Sequence, residues 1–311
     1  MGPTTALGRR FVAVALAVVA TLTAAVPAGA ATQPACAPWG MRTVASGLGI
    51  LENLSFDGTG GMLLSAWSEN AILRLTPSGA VSPVVLGVKA PGGQQVRGHV
   101  LYFNTGDSPE SGYLGIPDGT LQRFDLRTGR RQTVATGLTM PNGLLFLPNG
   151  DAVVSRDLGT GTGITRIPHD DPAHPQPNWI DTDDSNGMAV DPTKTWFYFV
   201  QTNHDGMPLM RAPLSDPSQA KLYASLGPGG GLDDMAMDGQ GVLYIAVNRY
   251  PETGEVIRFD PQTRETCVIA TGLNAPSSVK FGRGPGWPSD RLYVVGFDGT
   301  VHELTPPRRR P

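Results

Sequence analysis

One unit of about 45 residues recurs along this chain, and that recurrence limits its possible folds more than any other feature. Gln132 to Gly150, Q-T-V-A-T-G-L-T-M-P-N-G-L-L-F-L-P-N-G, shows it most clearly. Thr133 and Val134 mark a short strand, Pro141-Asn142-Gly143 a tight connection, and Leu144–Leu147 a second strand closed by a Pro148-Asn149-Gly150 turn. R-T-V-A-S-G-L at Arg42 precedes L-E-N-L-S-F-D, and T-C-V-I-A-T-G-L at Thr266 precedes N-A-P-S-S-V-K-F. The glycines of these copies, Gly47, Gly137 and Gly272, lie 90 and 135 residues apart, two and three multiples of 45. Short strands repeating at that period cannot bury their apolar faces singly and must stack into an array or a ring.

Six copies can be traced. Their first strands begin at Leu51, Pro91, Pro141, Ser185, Leu232 and Pro276, the second of these being degenerate. Second strands follow at Met62–Ala66, Val100–Phe103, Ala152–Ser155, Trp196–Val200, Val242–Ala246 and Arg291–Val295. Third strands carry Arg74, Arg123, Arg166, Arg211 and Arg258, spaced by 49, 43, 45 and 47 residues, with Glu303 in the last copy. Those arginines read as structural, their stems lying along outer strands. Six copies of four strands make an all-β, six-bladed β-propeller over residues 41–305. The last copy stops after its third strand, Val301–Thr305, while an unpaired strand, Met41–Ser46, precedes the first. That N-terminal strand is expected to complete the last blade, closing the ring and hiding a pairing edge.

Residues 1–30 read as an export signal: Arg9-Arg10, an uncharged apolar run from Phe11 to Ala25, and a small-residue cleavage site at Ala28-Gly29-Ala30. A transmembrane anchor is the alternative, but the run is short of the ~20 apolar residues that a span needs. The adjacent arginines also permit twin-arginine export. Segment 31–40 then leads into the propeller, and 306–311 forms a C-terminal tail. Cleavage near Ala30 would move the formal net charge from −3 to −5 and leave a secreted or periplasmic protein. The acidic balance argues against nucleic acid as a partner. Cys36 and Cys267 fall near outer strands of neighbouring blades, where an oxidising compartment allows a disulfide. Sequence alone leaves open whether they pair.

Propeller topology brings one end of every first strand to the same axial mouth. Glu52, Asn142, Asn186 and Asp233 occupy that place in four copies, with Gly92 and Ser277 in the other two. Loops after the second strands add Asn104, Arg156, Asp157, Asn203 and His204, and the longest, Asn104–Gly119, could act as a lid. Two carboxylates and two amides offer hard oxygen ligands, which suit Ca²⁺, Mg²⁺ or Mn²⁺ better than a thiophilic metal. Asn-Gly pairs are also ordinary turn formers, so turn capping is the structural alternative.

The spacing of Glu52, P-N-G at Pro141–Gly143, S-N-G at Ser185–Gly187 and L-D-D-M at Leu232–Met235 resembles the gluconolactonase/regucalcin family of six-bladed propellers. The resemblance implies one divalent cation, Ca²⁺ first and Mg²⁺, Mn²⁺ or Zn²⁺ next, held by Glu52, Asn142, Asn186 and Asp233. It implies Asp233 as general base and Asn142 as a ligand or substrate contact for a small-molecule lactone or ester. Arg156, Asn203 and His204, brought to the same mouth by the topology, are expected to contact that substrate too. The expected protein is a monomeric, metal-dependent hydrolase without a membrane span. Three departures stand out. Met140 replaces an arginine common in the sugar lactonases, Asp234 stands where glycine is usual, and Glu52 continues as Asn53-Leu54. Loss of the arginine weakens sugar-acid recognition and admits a more apolar lactone or ester. Two other readings share the architecture: a non-catalytic secreted binding module, and a strictosidine-synthase-like propeller with no obligatory metal.

Overall fold

A computed structural model describes residues 36–307 except 160 and 162. The export-signal reading over 1–30, residues 31–35 of segment 31–40 and the last four residues of the tail lie outside the described residues. The described strands form six four-stranded antiparallel sheets. In each of the first five blades the strands follow chain order from the axis outward. Their innermost strands are Leu51–Phe56, Gln94–Arg97, Leu144–Phe146, Ser185–Val190 and Gly231–Met237. The sixth blade starts at Pro276–Phe281 and takes its outermost strand from the other end of the chain.

That strand, Gly40–Ala45, pairs antiparallel with Val301–Thr305, with Gly40 opposite Thr305 and Arg42 opposite Glu303. Ring closure therefore occurs as the strand count requires, one residue earlier than the expected Met41. Glu303 explains why the sixth copy carries an acid where the others carry arginine. Its buried carboxylate accepts from Arg42 at 2.8 Å, Arg291 at 2.5 Å and the Tyr293 hydroxyl at 3.0 Å. Arg42 comes from the closing strand, so the inverted charge joins the two chain ends across one sheet.

Elsewhere the third-strand arginines are structural. Arg74 binds Asp57 at 2.7 Å and Arg166 binds Asp151, each acid sitting at the turn between the first two strands of the same blade. Arg211 instead lies over the rings of Trp196 and Tyr223, 3.9 and 4.0 Å from their centroids.

The core is divided among the seams between blades. Six clusters of buried side chains fill them, one per seam. Leu63, Ile72 and Phe103 close the first seam, and Val153, Phe197 and Phe199 the third. Each such side chain, fully buried, contributes about 1.5–3 kcal/mol. At the outer edge Cys36 and Cys267 form a disulfide, with Cα atoms 5.3 Å apart. The segment between Cys36 and the closing strand lies along blade five, where the Cys36 and Trp39 amides donate to Val268 and Ile269.

Candidate active site at the channel mouth

Four of the six innermost strands share a distortion that aims their polar side chains into the channel. Pairing register breaks between Leu51 and Asn53, Ser185 and Met188, Leu232 and Met235, and Pro276 and Ser278. Each interval contains the position singled out in that copy: Glu52, Asn186, Asp233 or Ser277. A bulge there bends the strand and re-aims the side chain. Glycine then allows the backbones to close around the axis. A Cβ on Gly187 would lie 2.6 Å from the Asp233 carbonyl, and one on Gly93 would lie 2.5 Å from that of Asn142. Glycine at these places thus packs blade against blade, a role beyond making the turn.

Glu52, Asn142, Asn186 and Asp233 are all at least 93% buried. Asn142 Nδ2 donates to Glu52 Oε1 at 2.9 Å and, at 3.3 Å, to the Oδ2 of Asp107. Asp107 was absent from the sequence-based set. It lies in the long 104–119 loop, just before a short helix, α1 (Pro109–Leu114), capped by Ser108. Asp157, from the corresponding loop of blade three and placed at the mouth by the sequence without a role, joins it. Glu52, Asp107, Asn142 and Asp157 share the floor of a cavity of about 310 Å³, walled by Ile50, Trp67, Pro109, Met140, Leu158 and Phe297.

The electrostatics follow from gathering acids away from water. Burial, then the Asp157 charge, push the Glu52 carboxyl up to about 8. Burial and Asp184 bring Asp157 up to about 7. Asp107 and Asp233 are driven well above the usual carboxylate range by burial and then by Glu52 and Asp157. Several buried oxygens here have no hydrogen-bond partner: Oδ1 of Asp107, of Asp157 and of Asn186. Desolvated oxygen lone pairs converging without donors are what a hard cation satisfies. The residues present therefore fit a divalent ion.

Arg156, Asn203 and His204 occupy other positions. The Arg156 guanidinium donates to the backbone carbonyls of Leu158, at 2.7 Å, and of Gly112, so it ties α1 to its own loop. Asn203 and His204 line a separate depression with Asp205, Arg249 and Tyr250. A third group, Asp151, His169 and Asp170, holds its ligand atoms within 4.8 Å of one another. Both Asp151 oxygens are already engaged by Arg166, His169 and Asn149, which makes this group an anchor for the blade-three turn.

Below the mouth, the residues following the site positions form a deeper layer. Gly93, Gly143 and Gly187 are three of them; Asn53, Asp234 and Ser278 are the others. Asp234 Oδ2 accepts from Asn53 at 3.0 Å, Ser278 at 2.6 Å and Lys280 at 2.5 Å. The acid in the place of glycine is thus neutralised by a lysine from the next blade. Past this layer the other end of the channel opens as a depression of about 370 Å³, lined with Lys280 and Arg283 and no carboxylate.

Comparison with known proteins agrees with the resemblance drawn from the motifs. Residues 163–296 match the family described as SMP-30/Gluconolactonase/LRE-like region. A gluconolactonase from Xanthomonas campestris superposes with a TM-score of 0.70 at 17% identity, over 89% of this chain and 98% of that one. A calcium-binding regucalcin from Agrobacterium tumefaciens gives 0.64 at 20% identity, over 88% and 99%. Virginiamycin B lyase from Staphylococcus aureus gives 0.57 at 12% identity, over 83% and 80%, so this architecture also carries a different chemistry. A short stretch of 72 residues is 36% identical to peptide methionine sulfoxide reductase B3 of Arabidopsis thaliana. It covers 22% of this chain, and the chain spans 38% of that protein's length. Both cysteines here are joined to each other, which leaves no free thiol among the described residues.

Proposed function

We propose that the protein is a metal-dependent hydrolase that opens a lactone or related ester at this channel mouth. The observation that carries the reading is the convergence of Glu52, Asp107, Asn142, Asp157, Asn186 and Asp233, with buried oxygens unpartnered and carboxyls pushed toward neutrality. Glu52, Asn142, Asn186 and Asp233 would hold the cation, with Ca²⁺ favoured. When bound, the ion supplies a Lewis acid that stabilises charge growing on the carbonyl oxygen.

The remaining work falls to the chain's own groups. Asp233 accepts a proton from the attacking water, a task suited to a carboxylate lifted from its usual range. Asn142 keeps Glu52 and Asp107 in register by donating to both. The apolar walls exclude bulk water and strengthen each interaction on the floor. Arg156 serves as a positioning residue, holding α1 in place. The disulfide and the 1–30 segment together support export to an oxidising compartment, with the protein acting as a monomer on a small molecule. Among the described residues no helix is long and apolar enough to cross a membrane.

A panel of lactones and aryl esters, assayed with and without Ca²⁺, tests the reading. Turnover that disappears with chelator and in Asp233→Asn is the expected result. A protein inert toward the whole panel, whose melting ignores divalent cations, refutes it.

A further inference from the structure

The cavity floor and its walls differ sharply in chemistry. All four floor residues carry oxygen, while the six wall residues, Ile50, Trp67, Pro109, Met140, Leu158 and Phe297, are apolar. Several of the polar atoms that the walls do possess are already committed. Trp67 Nε1 donates to the Asp107 carbonyl at 2.7 Å. The Ile50 amide donates to Ser68 Oγ, that of Met140 to Ser111 Oγ, and that of Phe297 to the Ala275 carbonyl. Ile50's carbonyl accepts from the Trp67 amide, and Leu158's accepts from Arg156. Pro109 has no amide hydrogen to offer.

From this we infer that the substrate is a neutral ring carrying an alkyl or aryl substituent, rather than a polyhydroxylated sugar lactone. A ligand seated here can present one polar end, the carbonyl and ring oxygen, to the floor. Every other polar group it carries must meet a wall whose side chains are apolar and whose one polar side-chain atom, Trp67 Nε1, is already taken, and a buried hydroxyl left unpaired costs binding. Apolar substituents meet the reverse situation, since the same walls are better covered than left to water. The volume of about 310 Å³ lies near the lower end of the roughly 300–1,000 Å³ of small-ligand clefts, which suits one ring with a short substituent. This inference rests on the hydrolytic reading for the choice of ring chemistry, but the wall argument concerns binding alone.

The test compares three δ-lactones at saturating Ca²⁺: unsubstituted, alkyl- or phenyl-substituted, and polyhydroxylated. The matching lactams, which are not turned over, are titrated calorimetrically against the same full-length protein. The substituted ring is expected to exceed the polyhydroxylated one by roughly tenfold or more in kcat/KM, with the lactams in the same order. Met140→Gln and Leu158→Asn, each near-isosteric and each adding a donor and an acceptor to the wall, should narrow that gap independently. Preferential binding of the apolar lactam without turnover of any lactone upholds the inference while removing the hydrolytic reading. Preference for the polyhydroxylated ring, or ordering unmoved in both variants, overturns the inference even if hydrolysis is found.

Discussion

Asn142 Nδ2 donates to Glu52 Oε1 at 2.9 Å although the two residues are 90 positions apart, on the first and third blades. The contact spans the degenerate second blade, whose corresponding position, Gly92, brings no side chain to the mouth. Asp107 enters the gap from the loop of that same blade and receives the Asn142 amide as well, at 3.3 Å. One amide therefore bridges two carboxylates that would otherwise repel.

Removing a carboxylate from this cluster should separate activity from stability. Asp233→Asn is expected to lower kcat by about 10²–10⁴ through loss of the base. In the chelated protein the same change should raise the melting temperature, because an acid held away from water among other acids has been neutralised. Scanning calorimetry with and without Ca²⁺ distinguishes the two effects. Equal melting of variant and wild type under chelation contradicts the account.

The pH dependence of the chelated protein follows with a definite sign. Glu52 rises from 4.5 to about 8 on folding and Asp157 from 3.8 to about 7, so the folded state holds protons that the unfolded chain releases. Their contribution is fully present below the unfolded values and is lost as pH climbs through the folded ones. Melting temperature measured with chelator should therefore fall between about pH 5 and about pH 8. Saturating Ca²⁺ should flatten that slope. A melting temperature that rises with pH across this window under chelation would show the acids to be solvated.

In the layer beneath, Lys280→Met should destabilise the fold by roughly 3 kcal/mol, since Asp234 stays buried without its cation. The double variant Asp234→Gly/Lys280→Met should recover most of that loss, restoring the glycine that blades three and four carry at the equivalent place. Urea denaturation of the single and double variants completes the cycle. Additive losses would mean that the two side chains are not coupled.

Legibility in the sequence tracked the repeat. Blade number, strand spans and ring closure were readable because each copy must bury the same faces, and the period exposes this. Glu52, Asn142, Asn186 and Asp233 were readable for the same reason, being one register position in four copies. Asp107 lies in an irregular loop whose length differs from copy to copy, so periodicity says little about it; the unusual length of that loop was the available signal. Arg156 was correctly placed in a mouth loop, yet its hydrogen bonds to Gly112 and Leu158 depend on where α1 docks. Asn203 and His204 were expected beside the metal set, but blade four turns them into a neighbouring depression. The disulfide, left open by the sequence, depended on how the segment before the closing strand runs along blade five.

That disulfide joins residues 231 positions apart at the outermost strand of blade five. Replacing both cysteines by serine should cost about 2–5 kcal/mol in denaturant unfolding and leave kcat/KM unchanged. A matching fall in activity with the protein still folded would link the outer edge to the channel mouth.

The cation site itself is tested most directly by anomalous diffraction from crystals soaked in Mn²⁺. The account predicts one strong peak at the channel mouth, within bonding distance of oxygens from Glu52, Asn142, Asn186 and Asp233. No peak there, or a peak confined to Asp151, His169 and Asp170, would contradict it.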